Sequence, residues 1–169
     1  MKLAKADVVL IAAIIVFAIS QISLTRLMGP IANEALGLQL TFSADRFSET
    51  VQGWSAEDMQ NYLRQLRWDY LHLVIYGFAL WWGVFRLNQL RPLHPRLRKG
   101  LLAAPIIAGL LDVVEDSIHL WMLHAAPDLM IAQPWVAIAA TAALAKWTLA
   151  LGTLAYLAWN LPRAYSLRG

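Results

Sequence analysis

Four ionisable side chains fall within one short apolar stretch: Asp112, Glu115, Asp116 and His119. At 100° per residue their angular positions on a helix are roughly 0°, −60°, +40° and −20°. They share one face, and Val114 and Trp121 lie on the other. Three carboxylates held together in apolar surroundings are suited to proton transfer or to stabilising a cation. A second apolar stretch carries Asp69, His72 and Tyr76 on one narrow face, and a fourth carries Lys146 near its middle. Asp112, Glu115 and Asp116 are expected to be the acid–base groups. Lys146 tunes them, and His72 and Tyr76 position or shuttle protons. The blander alternative is that Lys146 and one carboxylate simply tie two helices together, a contact of modest strength in membranes. That alternative leaves charge over, because one lysine neutralises one carboxylate. The surplus calls for protonation or for a bound cation.

The spacing also admits a metal. Asp69-x-x-His72 and Asp116-x-x-His119 repeat an acid-x-x-His pattern on two helices, and di-metal carboxylate bundles use Glu-x-x-His pairs with bridging Glu residues. Here the acids are mostly Asp and bridging Glu is scarce. Asp69, His72, Asp116 and His119 are the expected ligands if a divalent metal binds. A haem between His72 and His119 is disfavoured by the carboxylates beside them.

These residues need elements to carry them. Four apolar stretches are long enough to cross a bilayer, which takes about 20 helical residues: about 8–28, 68–87, 101–124 and 135–161. Counted at 1.5 Å per residue from the outer ends, His72 and His119 lie roughly 6–8 Å in, and Tyr76, Glu115 and Asp116 roughly 12–14 Å in. Lys146 and Asp112 lie roughly 16–18 Å in. Lys146 is therefore predicted to meet Asp112 or Glu115. Ala139, Ala142, Ala150 and Thr153 share its side of the helix, and such small residues mark close helix–helix contact. The first stretch has the look of a signal peptide, with Lys2, Lys5 and a small-x-small site at Ala18-Ile-Ser20; it is read as an uncleaved anchor helix.

Lysine and arginine distribution sets the orientation. Lys2, Lys5, Arg86, Arg91, Arg96, Arg98, Lys99, Arg163 and Arg168 fall on one side, and Arg26, Arg46, Arg64 and Arg67 on the other. Nine against four predicts a bacterial inner-membrane protein with both termini cytoplasmic. Glu34, Asp45, Glu49, Glu57, Asp58 and Asp128 lie outside. The outer segment 29–67 is expected to hold a short helix from Ser43 to Val51, with Ser43 as N-cap and Gly53 as stop. An amphipathic approach helix, opened by a capping box at Ser55-Ala-Glu-Asp58, then leads into the second span. This segment is read either as an interfacial collar or as a lid over the site.

Composition agrees with a membrane setting. Hydrophobic residues make up 59% of the 169 residues and charged residues 15%; soluble domains run near about 45–50% and 25%. A soluble chain this short could not bury so much apolar surface. There are no cysteines, which excludes disulfides, thiolate metal sites and a cysteine nucleophile. The net charge of +3 reflects topology and anionic lipid headgroups, so membrane lipids are the expected partners and nucleic acid is not. Phosphate loops, nucleophile elbows, zinc-protease motifs and dinucleotide fingerprints are absent from the sequence.

Three pieces taken together, Tyr62-Leu-x5-Asp69-x6-Tyr76-Gly77, Leu111-Asp-x-x-Glu115-Asp116 and Thr141-x4-Lys146-Trp147, resemble a group of small bacterial four-span inner-membrane proteins with no known activity. In that group the third helix usually reads Asp-x-x-Glu-Asn, where this chain has Asp116. The resemblance implies an all-α, four-span fold and a shared polar set. The leading expectation from the residues is a membrane enzyme doing acid–base chemistry on an apolar small molecule such as a lipid or isoprenoid. The alternatives are a proton- or cation-coupled carrier, which with four spans requires a homodimer, and a structural subunit of a membrane complex.

Overall fold

The computed structural model describes residues 4–125 and 131–167; Lys2, Asp128 and Arg168, used above for orientation, lie outside them. Among the described residues every regular element is helical. Six α-helices run α1 (Lys5–Met28), α2 (Ala32–Gln39), α3 (Ala44–Gln52), α4 (Ala56–Leu90), α5 (Pro95–Ala125) and α6 (Gln133–Ser166), with a 3-10 turn, Gly29–Ile31, between α1 and α2.

Local signals explain most boundaries. Gly29 takes φ 57°, the left-handed region that glycine enters at no steric cost, and Pro30 follows at once, so α1 stops there. Ser43 caps α3 by accepting from the Arg46 N–H at 3.3 Å. At α4 the box is reciprocal: Ser55 Oγ accepts from the Asp58 N–H and Asp58 Oδ2 from the Ser55 N–H, each at 3.1 Å. Gly53 does follow α3, but with a right-handed φ of −74°, so its lack of a side chain is not what ends the helix. The approach helix and second span prove to be one continuous helix, α4, of 35 residues, about 52 Å long. The sequence reading has no counterpart for α2, whose eight residues include Gly37 and carry too little apolar periodicity to announce a helix.

α4 is the hub. It packs against α1, α5 and α6, and α5 packs against α6. A polar tie fixes which ends meet. Arg86 Nε donates to Asp7 Oδ1 at 2.6 Å, the Tyr165 hydroxyl donates to the same oxygen, and Arg86 Nη1 donates to Gln89 Oε1 at 3.1 Å. The start of α1, the end of α4 and the end of α6 are thus neighbours, and the long helices alternate in direction. Arg86, read from the sequence only as a marker of the cytoplasmic side, is a buried ion-pair partner.

Two apolar clusters fill the interior. One is at the α1-start end and includes Tyr76, Leu80, Val84, Leu87, Ala108 and Leu157. The other is at the far end, where Leu38 of α2 and Phe47 and Val51 of α3 pack onto Tyr62, Leu66, Met122 and Val136. The Gln133 side chain pins this cap, accepting from the Ala44 N–H at 2.9 Å and donating to the Phe42 carbonyl. Helices α2 and α3 therefore cover this end of the long helices.

Among the described residues three stretches, Lys5–Gln39, Ala56–Leu90 and Gln133–Ser166, are long and apolar enough to cross a membrane. On α1 a broad outward face, including Val8, Ile11, Ile15 and Ile19, is about half exposed. Helix α5 has 31 residues, also enough in length, and differs in carrying Asp112, Glu115 and Asp116. All three of these carboxylates are buried.

Candidate functional site

The polar residues gather between the two apolar clusters, on the inner faces of α4, α5 and α6. Asp69, His72, Asp112, Glu115, Asp116, His119 and Lys146 are all buried, with Glu115 and Asp116 at 0% exposure. Their convergence follows from helical period: Asp69, His72 and Tyr76 lie at i, i+3 and i+7 on α4, and Asp112, Glu115, Asp116 and His119 at i, i+3, i+4 and i+7 on α5, so each set makes one stripe.

Lys146 is the cationic centre. Its ammonium is bonded to Asp112 Oδ1 and lies 2.7 Å from Glu115 Oε2; it therefore meets both of the carboxylates that the depth argument offered as alternatives. The Tyr76 hydroxyl donates to the other Asp112 oxygen at 3.0 Å. Asp112 is thus served on both oxygens, from α6 and from α4.

Asp116 differs. Neither of its oxygens receives a hydrogen bond, although both are buried. One oxygen each from Asp69, Asp112 and Asp116 lie within 4.8 Å of one another. Asp69 accepts from the Gln65 amide at 2.9 Å, while Gln65 Oε1 is buried without a donor. Buried polar groups are normally satisfied, and each exception needs a cause. Four carboxyl groups facing one ammonium leave a surplus that the donors of the described residues do not meet, and that protonation or a bound cation would relieve.

The histidines do not join the carboxylates in the expected way. His72 Nδ1 shares a 2.8 Å hydrogen bond with the Ser20 hydroxyl of α1, and its ring stacks on Phe17. His119 Nδ1 shares a 2.9 Å bond with the Tyr62 hydroxyl, and Phe47 of the cap lies against its ring at 5.3 Å between centroids. The close set is accordingly Asp69, Asp112 and Asp116, rather than the two Asp-x-x-His pairs. His124, on the same helix, turns away to Arg67 and the Leu120 carbonyl.

Sequence reasoning missed three contributors. Gln65 stands four residues before Asp69 on α4, so helical spacing alone could have added it to the stripe. Ser20 and Phe47 come from α1 and α3, and no local pattern links them to the site. Two surface clefts lie apart from the carboxylates. A polar one of about 590 Å³, lined by Glu34, Arg46 and Glu49 among others, sits between α2 and α3. A shallow apolar groove of about 400 Å³ runs along the outside of α5 and α6 by Leu111, Val114 and Ala142.

No protein family, curated protein or solved structure matches the chain.

Proposed function

We propose that this chain is a four-span protein of the bacterial inner membrane, with both termini cytoplasmic, which as a homodimer takes up a cation from the outer side at its interior site and passes it across the membrane. The observation that carries this reading is Asp116: a carboxylate at 0% exposure, without a hydrogen bond on either oxygen, beside two other aspartates. An ionised group in that position needs positive charge beyond Lys146. The carboxylates sit on the cap side of the interior, so the outer face is the shorter route. α5 crosses as the fourth span because its charges face α4 and α6 while Ile106, Leu110 and Val114 face outward.

Orientation rests on the nine-to-four split of cations. A topology reporter fused after Gly169 is expected to be active only in the cytoplasm, and one placed in the 40–43 loop only outside; the reverse pattern overturns the orientation. Cation exchange is tested in proteoliposomes loaded with proton- and metal-sensitive dyes under an imposed membrane potential. Wild-type protein is expected to pass a cation and Asp116→Asn to pass none. Vesicles as tight as protein-free ones to protons, monovalent ions and divalent ions would overturn this function.

A second reading, a membrane enzyme acting on an apolar substrate, is favoured by the groove along α5 and α6. Leu111 and Val114 line it and alternate along α5 with Asp112 and Glu115, so an acyl or isoprenoid chain lying there would be level with the carboxylates. Under this reading a lipid co-purifies with the protein and is lost on Ala142→Phe.

A further inference from the structure

We propose that Asp69, Asp112 and Asp116 together bind one hard divalent cation of manganese or calcium type. This rests on the cation-uptake reading and names the cation. The first support is distance. Oxygens around one metal ion are separated by at most twice the metal–oxygen bond, about 4.8 Å for a calcium-sized ion and about 4.2 Å for magnesium. One oxygen from each aspartate already falls within 4.8 Å of the others, a span within which three oxygens can share one ion.

The second support is the orphaned acceptors. Asp116 presents both oxygens without a donor, and Gln65, whose amide nitrogen is on Asp69, presents a buried carbonyl oxygen without one. Acceptors that lack donors are what a metal ion satisfies and what a protein N–H does not supply here. The third is donor chemistry. Carboxylate and amide oxygens select Mg, Ca and Mn over zinc or copper, the chain has no cysteine, and both nearby histidines spend Nδ1 on hydroxyls. Charge also agrees: with all four carboxyls ionised, they come with one ammonium and one divalent ion to −1, against −3 without the ion.

Manganese is the probe, because it reports by electron paramagnetic resonance and substitutes for both calcium and magnesium. Protein purified in detergent and stripped with chelator is titrated with Mn²⁺, in wild type, Asp116→Asn and Asp69→Asn. The expected result is one Mn²⁺ per chain, competed by Ca²⁺, with affinity weakened more than about 100-fold in either variant, beyond the range produced by disturbing a supporting residue. Removing a buried unpaired carboxylate should not unfold the chain; a rise in wild-type thermal midpoint on adding Mn²⁺ gives a readout independent of the variants. Mn²⁺ bound equally by wild type and Asp116→Asn places the metal elsewhere and overturns the assignment. No binding of Mn²⁺, Ca²⁺ or Mg²⁺ at millimolar concentration also overturns it. If proteoliposomes then still pass protons, the cation-uptake reading survives alone; if they pass nothing, both fall.

Discussion

Lys146→Met is expected to destabilise the protein by about 3–5 kcal/mol, the usual cost of removing one member of a buried ion pair. The size follows from how the ammonium is shared. It serves both Asp112 and Glu115, each buried, and methionine fills similar space while donating nothing. The loss should be partly recovered by a second change that removes the stranded charge, Asp112→Asn, and separately by Glu115→Gln. A double-mutant cycle for each pair, read by thermal unfolding in detergent, measures the coupling. Additive losses in both cycles, or a single variant that melts with wild type, would mean that Lys146 does not hold the carboxylates. Tyr76→Phe offers a milder comparison, because it removes one neutral hydroxyl donor from Asp112 and leaves the ammonium in place.

Phe47→Ala is expected to have a comparable effect at a different place. Phe47 is 0% exposed and forms the centre of the cap, touching the His119 ring. Truncating a buried phenylalanine costs about 3–5 kcal/mol. The loss should concentrate in α2 and α3, which are short and owe their order to this cluster, since isolated helices of eight or nine residues are marginal in water. Hydrogen exchange is the informative measurement: amides of Ala44–Gln52 should lose protection while those in the middle of α4 and α6 keep theirs. Equal protection of α3 in variant and wild type would show that the cap is held by something other than this ring.

The long helices were legible because their signal is redundant. Each runs for 24 to 35 residues of apolar sequence, and the polar residues keep helical period within it, so Asp112, Glu115, Asp116 and Lys146 could be set on inner faces at matching depths from counting alone. What counting cannot supply is rotation and lateral placement. Asp69, Asp112 and Asp116 converge because α4 and α5 turn those residues toward each other, whereas His72 is drawn toward α1 by Ser20 and Phe17. His119 is drawn toward Tyr62 and the cap. A shared acid-x-x-His spacing therefore stands for two different local environments. The same limit hid the Asp7–Arg86 pair: two residues 79 positions apart carry no mutual signal, and a cation near a helix end reads first as a topology marker.

For a cation bound as proposed, the cap would separate how fast the site exchanges it from how tightly it holds it. Under the proposed cation binding, affinity would belong to the three aspartates, but a cation entering or leaving past the cap would have to wait until the Phe47 cluster parts, a local opening of the kind that low-stability segments undergo. Opening scales both rates by the same factor, so the dissociation constant is untouched while residence time follows the strength of the apolar seal. Each 1.4 kcal/mol of seal corresponds to a factor of ten, and loss of the Phe47 ring would shorten the residence time on the order of 10²–10³-fold. A side chain that touches no ion would then set the protein's clock.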